Sequence, residues 1–245
     1  MSGTQSSQRR FEWIFFDAGD TLFRVATALK NIGPLLAELD HFPEYEQIKR
    51  AVIAAREASS LIAHVGPGPD YRVSTVRATE RRERFLDVLL DELELPTPRH
   101  ADARARLVAA FTSPDFFRRY PEVDQTLTEL RARGYRMGIV SNWDPSLELL
   151  CANHGLPEWM DFVLASEREG FAKPGPSLFR RALERAVATP ERVVHVGDSY
   201  DHDVLGASGV GIQAILLDRG GYYPPSTWRP TIKSLAELPT LLGTC

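Results

Sequence analysis

The chain has 245 residues, of which 43% are hydrophobic and 25% charged, with a formal net charge of -4; this suits one large globular domain or two modest ones. The negative balance removes the electrostatic case for a nucleic-acid partner, and no apolar run reaches membrane-spanning length. The two cysteines, Cys151 and Cys245, make neither a disulfide framework nor a zinc spacing.

Residues 1–10 are polar and lack the apolar segment of a signal peptide, so they read as a disordered tail on a cytoplasmic protein. Residues 11–16 are an apolar run broken only by Glu12, the pattern of a strand buried on both faces of a parallel sheet. The run stops abruptly at Asp17-Ala18-Gly19-Asp20-Thr21-Leu22. Ligands of open α/β sheets gather outside the carboxyl ends of such strands, which is where Asp17 falls. Residues 24–118 then show no strand, only helical periodicity, with stripes at Leu35, Leu36 and Leu39 and at Phe85, Leu86, Leu89, Leu90 and Leu93. Pro43, the run Gly66-Pro67-Gly68-Pro69 and Pro96-Thr97-Pro98 divide this all-helical insert into about four helices. The arginines Arg72, Arg77, Arg81, Arg82 and Arg84 read as a solvated helix face, with a basic patch towards an anionic substrate as the alternative.

From Pro121 the rhythm changes to helices alternating with short apolar strands. Helices are expected over 122–133, closed by Gly134, over 145–154, closed by Gly155 and containing a core Cys151, from 176 to about 187, and over 235–242. Strands are expected over 135–140, 161–165, 192–196 and 212–217. His195, inside the third of these, reads as a buried, hydrogen-bonded histidine, and residues 220–225 as a loop. The fold class is therefore α/β: a Rossmann-like parallel sheet with helices on both faces and an all-helical cap inserted after the first strand. The core comprises 11–23 and 119–245, and the cap 24–118.

Asp17, Ser141 with Asn142, and Asp198 with Asp203 each follow a predicted strand, and Lys173 lies in a strand-to-helix loop. Singly each has an ordinary reading as a turn former, helix cap or surface charge. Together on one sheet edge they offer carboxylates for a magnesium ion, and a lysine and a hydroxyl for a phosphate. An aspartate so placed can also attack phosphorus.

These residues carry a resemblance to the haloacid dehalogenase-like hydrolase superfamily, in the subgroup with a helical cap after the first motif. Phe16-Asp17-Ala18-Gly19-Asp20-Thr21-Leu22, Val140-Ser141-Asn142, Lys173-Pro174 and Gly197-Asp198-Ser199 with Asp203 match its four motifs in order. The run Ser141-Asn142-Trp143-Asp144 has the look of the REG-2-like branch. The resemblance implies Asp17 as nucleophile, Ser141 on a phosphate oxygen, and Lys173 neutralising charge between the two. It implies Asn142, Asp20 and Thr21 at the substrate. Magnesium would be held by Asp17, the Gly19 backbone carbonyl and Asp198, with Asp203 a ligand or behind one. The substrate would be a small phosphorylated metabolite.

One position departs from the pattern. Phosphatases of the family carry a second aspartate two residues after the nucleophile, to protonate the leaving group and activate water; here it is Gly19. The expectation is a phosphatase impaired or restricted to good leaving groups, with Asp20 or His202 as conceivable substitutes for the missing acid. Two alternatives stay open: a carbon–halogen hydrolase, which needs no second acid and no cation, and a lapsed domain that only binds a phosphorylated ligand or protein.

Overall fold

The computed structural model describes residues 10–60, 71–73, 75–111, 113, 116–228 and 230–243. The expected tail, the loop at Gly66-Pro67-Gly68-Pro69, the Arg77 side chain and Cys245 lie outside the described residues. Six strands make one parallel sheet: β1 (Trp13–Phe16), β4 (Arg136–Ser141), β5 (Phe162–Ala165), β6 (Val193–Gly197), β7 (Gln213–Leu217) and β8 (Thr231–Ile232), in the order β5-β4-β1-β6-β7-β8. β1 is central, and its alternate side chains feed two cores. Ile14 and Phe16 pack on one face, with Leu127, Leu147 and Leu235. Trp13 and Phe15 pack on the other, with Leu178 and Phe179. A parallel strand sandwiched in this way must be apolar at every position, which is why 13–16 carries no polar residue.

The helices of the sheet layer are α5 (Val123–Ala132), α6 (Ser146–Asn153), α7 (Ser166–Glu169), α8 (Pro176–Ala186), α9 (Gly206–Ser208) and α10 (Leu238–Gly243). Gly134 and Gly155 follow α5 and α6 at φ +81° and +68°, a left-handed turn that glycine enters without steric cost. Cys151 is fully buried in α6, as expected.

Between β1 and α5 the chain forms α1 (Val25–Ala37), α2 (Tyr45–Ser60), α3 (Thr75–Glu92) and α4 (His100–Phe111). Leu36, Leu86, Leu89, Leu90 and Leu93 are buried there, so the predicted stripes are the packing faces.

Several details differ from expectation. Phe23–Arg24 (β2) and Arg118–Arg119 (β3) pair as a short antiparallel ribbon in a stretch expected to lack strands. β8 and α7 were not expected either, since two strand residues or four helical ones carry no readable period. The closing helix is a 3-10 turn at Leu235–Glu237 followed by α10. Arg82 and Arg84 are exposed as a solvated face requires, but Arg81 is 9% exposed and pairs with Glu167 of α7 at 2.9 Å.

Candidate active site

β4, β1 and β6 are neighbours in register, with Phe16 opposite both Ile139 and Val196. The sheet order therefore delivers Asp17, Ser141 and Asp198 to one rim, although they are far apart in sequence. Ser141 Oγ donates to Asp17 Oδ1 at 2.9 Å. Lys173 Nζ donates to the same oxygen at 2.6 Å and to Asp203 Oδ1 at 2.5 Å. Both donors thus hold Oδ1, and neither engages Oδ2.

Lys173 is itself held by Asn142, whose amide accepts from the Lys173 N–H at 2.8 Å and donates to the Lys173 carbonyl at 2.9 Å. The amide of Asn142, expected at the substrate, thus fixes the lysine loop. Asp203 sits in a π-helical turn, Tyr200–Leu205. Its Oδ1 also accepts from His195 Nε2 at 2.9 Å, and its Oδ2 accepts from the Ser199 N–H at 3.0 Å. A carboxylate only accepts, so the histidine proton is on Nε2. Phe179 packs edge-on against the imidazole at a centroid distance of 5.0 Å, and the buried, hydrogen-bonded His195 read from sequence is what the structure has. Gly197 makes this arrangement possible, since a Cβ there would lie 2.2 Å from Asp203 Cγ.

Asp17, Asp198 and Asp203 each present an oxygen within 4.8 Å of the others, and Lys173 is the ammonium among them. Burial, and secondarily the charges of Asp17 and Asp203, push the Asp198 carboxyl up to about 8. Burial likewise raises Asp17, partly offset by Lys173. Burial would raise Asp203 too, but Lys173 and His195 outweigh it and hold that carboxyl below its usual range. Burial alone would lower Lys173, yet Asp17 and Asp203 together hold its ammonium above the usual lysine range. One ammonium faces three acids, Asp17 and Asp203 buried and Asp198 half-buried, so the group is under-neutralised, and this donor set fits a hard divalent ion. Asp203 already accepts from Lys173, His195 and Ser199, so Asp17 and Asp198 are the side chains able to face such an ion.

A cavity of about 260 Å³ opens on the group, lined also by Gly19, Asp20, Trp143 and His202. His202 Nδ1 lies 3.2 Å from Ser199 Oγ. Thr21 is not brought in: it is fully buried away from the cavity, and its Oγ1 has no partner among the described residues.

Sequence reasoning missed Arg219, in the loop after β7. Its Nε and Nη2 donate to the carbonyls of Asp20 and Thr21 at 3.1 and 2.8 Å, and its Nη1 pairs with Glu122 at 2.6 Å. The guanidinium lies 3.5 Å from the Tyr120 ring centroid. One side chain thus clamps the loop that follows Asp17. The only sequence signal was a lone basic residue just past a strand end.

Residues 11–211 match the family model described as haloacid dehalogenase-like hydrolase. The chain is similar to haloacid dehalogenase-like hydrolase domain-containing protein 3: it is 37% identical to the mouse protein over 153 residues, 61% of this chain and 60% of that one. The chain thus spans about 60% of the length of that relative, although the match to the zebrafish protein of the same name, at 31% identity, covers 94% of this chain and 96% of the other. A glyceraldehyde 3-phosphate phosphatase from Methanopyrus kandleri is 28% identical over 73% of this chain and 81% of its own. Among solved structures, a magnesium-bound HAD-hydrolase from Bacillus subtilis superposes with a TM-score of 0.77 at 18% identity, over 96% of this chain and all of that one.

Proposed function

The chain belongs to the haloacid dehalogenase-like hydrolases, and from that footing we propose that it is a magnesium-dependent phosphatase working through an aspartyl phosphate, restricted to substrates with good leaving groups. The observation that carries the reading is the Lys173 ammonium shared between Asp17 and Asp203, with Asp198 facing them. The phosphatase relative supports a small phosphorylated substrate.

In this reading Asp17 Oδ2 attacks phosphorus, and the bond from phosphorus to the leaving oxygen breaks, its electron pair departing with the leaving group. Lys173 and Ser141 hold Oδ1, so Oδ2 is presented in one orientation while Lys173 neutralises phosphoryl charge. Magnesium, facing Asp17, Asp198 and the Gly19 carbonyl, would neutralise the phosphoryl oxygens. Water then attacks phosphorus as the bond from phosphorus to Asp17 Oδ2 breaks, its electron pair returning to the carboxylate, and the water's protons pass to the released phosphate and to solvent. Gly19 has no group to protonate the leaving oxygen, a role worth about 10²–10⁴-fold. Acyl and aryl phosphates, whose leaving groups need no proton, should therefore turn over and alkyl phosphates poorly.

Residues 24–118 act in this reading as a helical cap of the REG-2-like kind that shields the aspartyl phosphate from bulk water. The Arg81–Glu167 pair and the backbone hydrogen bonds from Val73 to Gly170 and from Ala172 to Tyr71 support it, because they fasten that segment beside Lys173.

Phosphate release across a leaving-group series, with and without magnesium, is the test. Equal rates for alkyl and aryl phosphates would reject the leaving-group restriction. The absence of an acid at Gly19 also suits a carbon–halogen hydrolase, and halide release without any cation would establish that reading instead.

A further inference from the structure

A second cavity, of about 650 Å³, adjoins the carboxylate site, and Asp20 and Asp198 line both. Its other walls include Leu29, Tyr120, Leu217, Tyr222 and Tyr223, so three tyrosine rings and two leucines surround a space opening directly on the carboxylates. The cation in its wall is Arg219, whose guanidinium is already held by two backbone carbonyls, Glu122 and the face of Tyr120. Among the described residues, that leaves the wall without a cation free to take a second phosphate or a carboxylate.

The tyrosine loop is built. Asp218, 5% exposed, accepts from the Tyr222 and Tyr223 N–H groups at 2.8 and 3.2 Å, fixing the turn that presents both rings. The Tyr223 hydroxyl accepts from the Tyr200 N–H at 3.2 Å. Tyr222 lies against bare backbone at Gly220, where a Cβ would sit 2.3 Å from its ring. Tyr222 is also 86% exposed, so this loop holds a large ring at the mouth of the cavity with nothing yet covering it.

We propose that this cavity receives the substrate's leaving group, and that the group it takes is a flat, uncharged aromatic one joined to the phosphoryl group as an aryl phosphate or an aromatic acyl phosphate. The inference rests on the phosphatase reading for its phosphoryl site. It adds the ligand class: rings stack on tyrosine faces and gain from leaving water, and with Asp20, Asp198 and Asp218 in the wall and Arg219 already engaged, an uncharged group is favoured over an anionic one.

Binding of benzylphosphonate and methylphosphonate, measured by calorimetry with magnesium present, tests this without requiring turnover. Benzylphosphonate should bind about tenfold more tightly. That preference should shrink several-fold in Tyr222→Ala and persist in Tyr222→Phe, while methylphosphonate binding stays unchanged in both. Tyr222 is exposed, so neither variant threatens folding. Equal affinities for the two ligands in the unaltered protein, or a preference undiminished in Tyr222→Ala, would overturn the proposal. Phosphate release from acetyl and benzoyl phosphate, which have leaving groups of similar acidity, separates the two claims. Hydrolysis of both without a preference for the ring sinks only the aromatic pocket. A ring preference in binding without hydrolysis of either sinks only the phosphatase reading, and failure to bind either phosphonate sinks both.

Discussion

At residue scale the site is a problem of charge. Asp198, pushed up to about 8 mainly by burial, keeps its proton to a higher pH than the unfolded chain does. For an acid raised in this way the folded state binds more protons, so stability falls as pH climbs from the ordinary carboxylate value towards 8 and is level above it. Asp17 shifts in the same direction. Asp203, held low, contributes stability that is full above its ordinary value and disappears only as pH falls through its lowered one, which is a separate, acid window. Thermal melts of metal-free protein should therefore show a melting temperature that declines from about pH 5 to about pH 8, and saturating magnesium should remove most of the decline. A flat or rising metal-free profile would mean that these acids are not short of positive charge. Gly19→Asp supplies the missing acid and should raise alkyl phosphate turnover at least about tenfold, and by more than it raises acetyl phosphate hydrolysis. An equal gain on both substrates would place the deficit in the water attack common to them, and no gain on either would place it away from Gly19.

At the scale of elements, two contacts hold the loops in place. The first is the closeness of β6 to the π-helical turn, which only Gly197 allows. Gly197→Ala should displace Asp203, release Lys173 from its second carboxylate, and lower kcat by about 10²-fold or more with the fold preserved by circular dichroism; wild-type kcat in that variant would contradict the role given to Asp203. The second is the Arg219 clamp between the loop after β7, the loop after β1 and the start of α5. Its removal strands two carbonyls and leaves Glu122, whose carboxyl Arg219 holds below its usual value against the opposing effect of burial, with the Ser234 hydroxyl as its side-chain donor. Arg219→Ala should cost about 2–3 kcal/mol in urea unfolding, with Arg219→Lys recovering only part because it cannot fork across two carbonyls. A change below about 0.5 kcal/mol would show the clamp to be ornamental.

These two contacts also mark where the sequence stops being legible. The apolar run 13–16 and the acids and lysine beyond the strand ends could be read directly, because a strand buried on both faces excludes polar residues and a strand end exposes them. Arg219 could not, since its partners are backbone carbonyls 198 and 199 positions away. β2, β3 and β8 are two residues each, too short to show alternation. Asn142 was placed at the substrate by its motif, and nothing local says that its amide is engaged on the Lys173 backbone.

At the scale of the whole molecule, the parallel order β4-β1-β6 collects distant acids at one rim, and α1 to α4 come between β2 and β3. The Arg81–Glu167 pair ties α3 to α7, with both side chains largely buried at 11% and 16% exposure. Arg81→Met should loosen that attachment, seen as faster amide exchange at residues 71–73 and 170–172 with α5 and β6 unaffected; unchanged exchange would show that the pair fastens nothing. Everything in the functional reading converges on Asp17 accepting phosphorus. The most direct measurement is mass spectrometry of protein mixed with acetyl phosphate and magnesium and quenched in acid. One phosphoryl group on the peptide carrying Asp17, absent without magnesium and absent in Asp17→Asn, is the predicted result; phosphate released while Asp17 stays unmodified in every quench, or equally fast from Asp17→Asn, would contradict it.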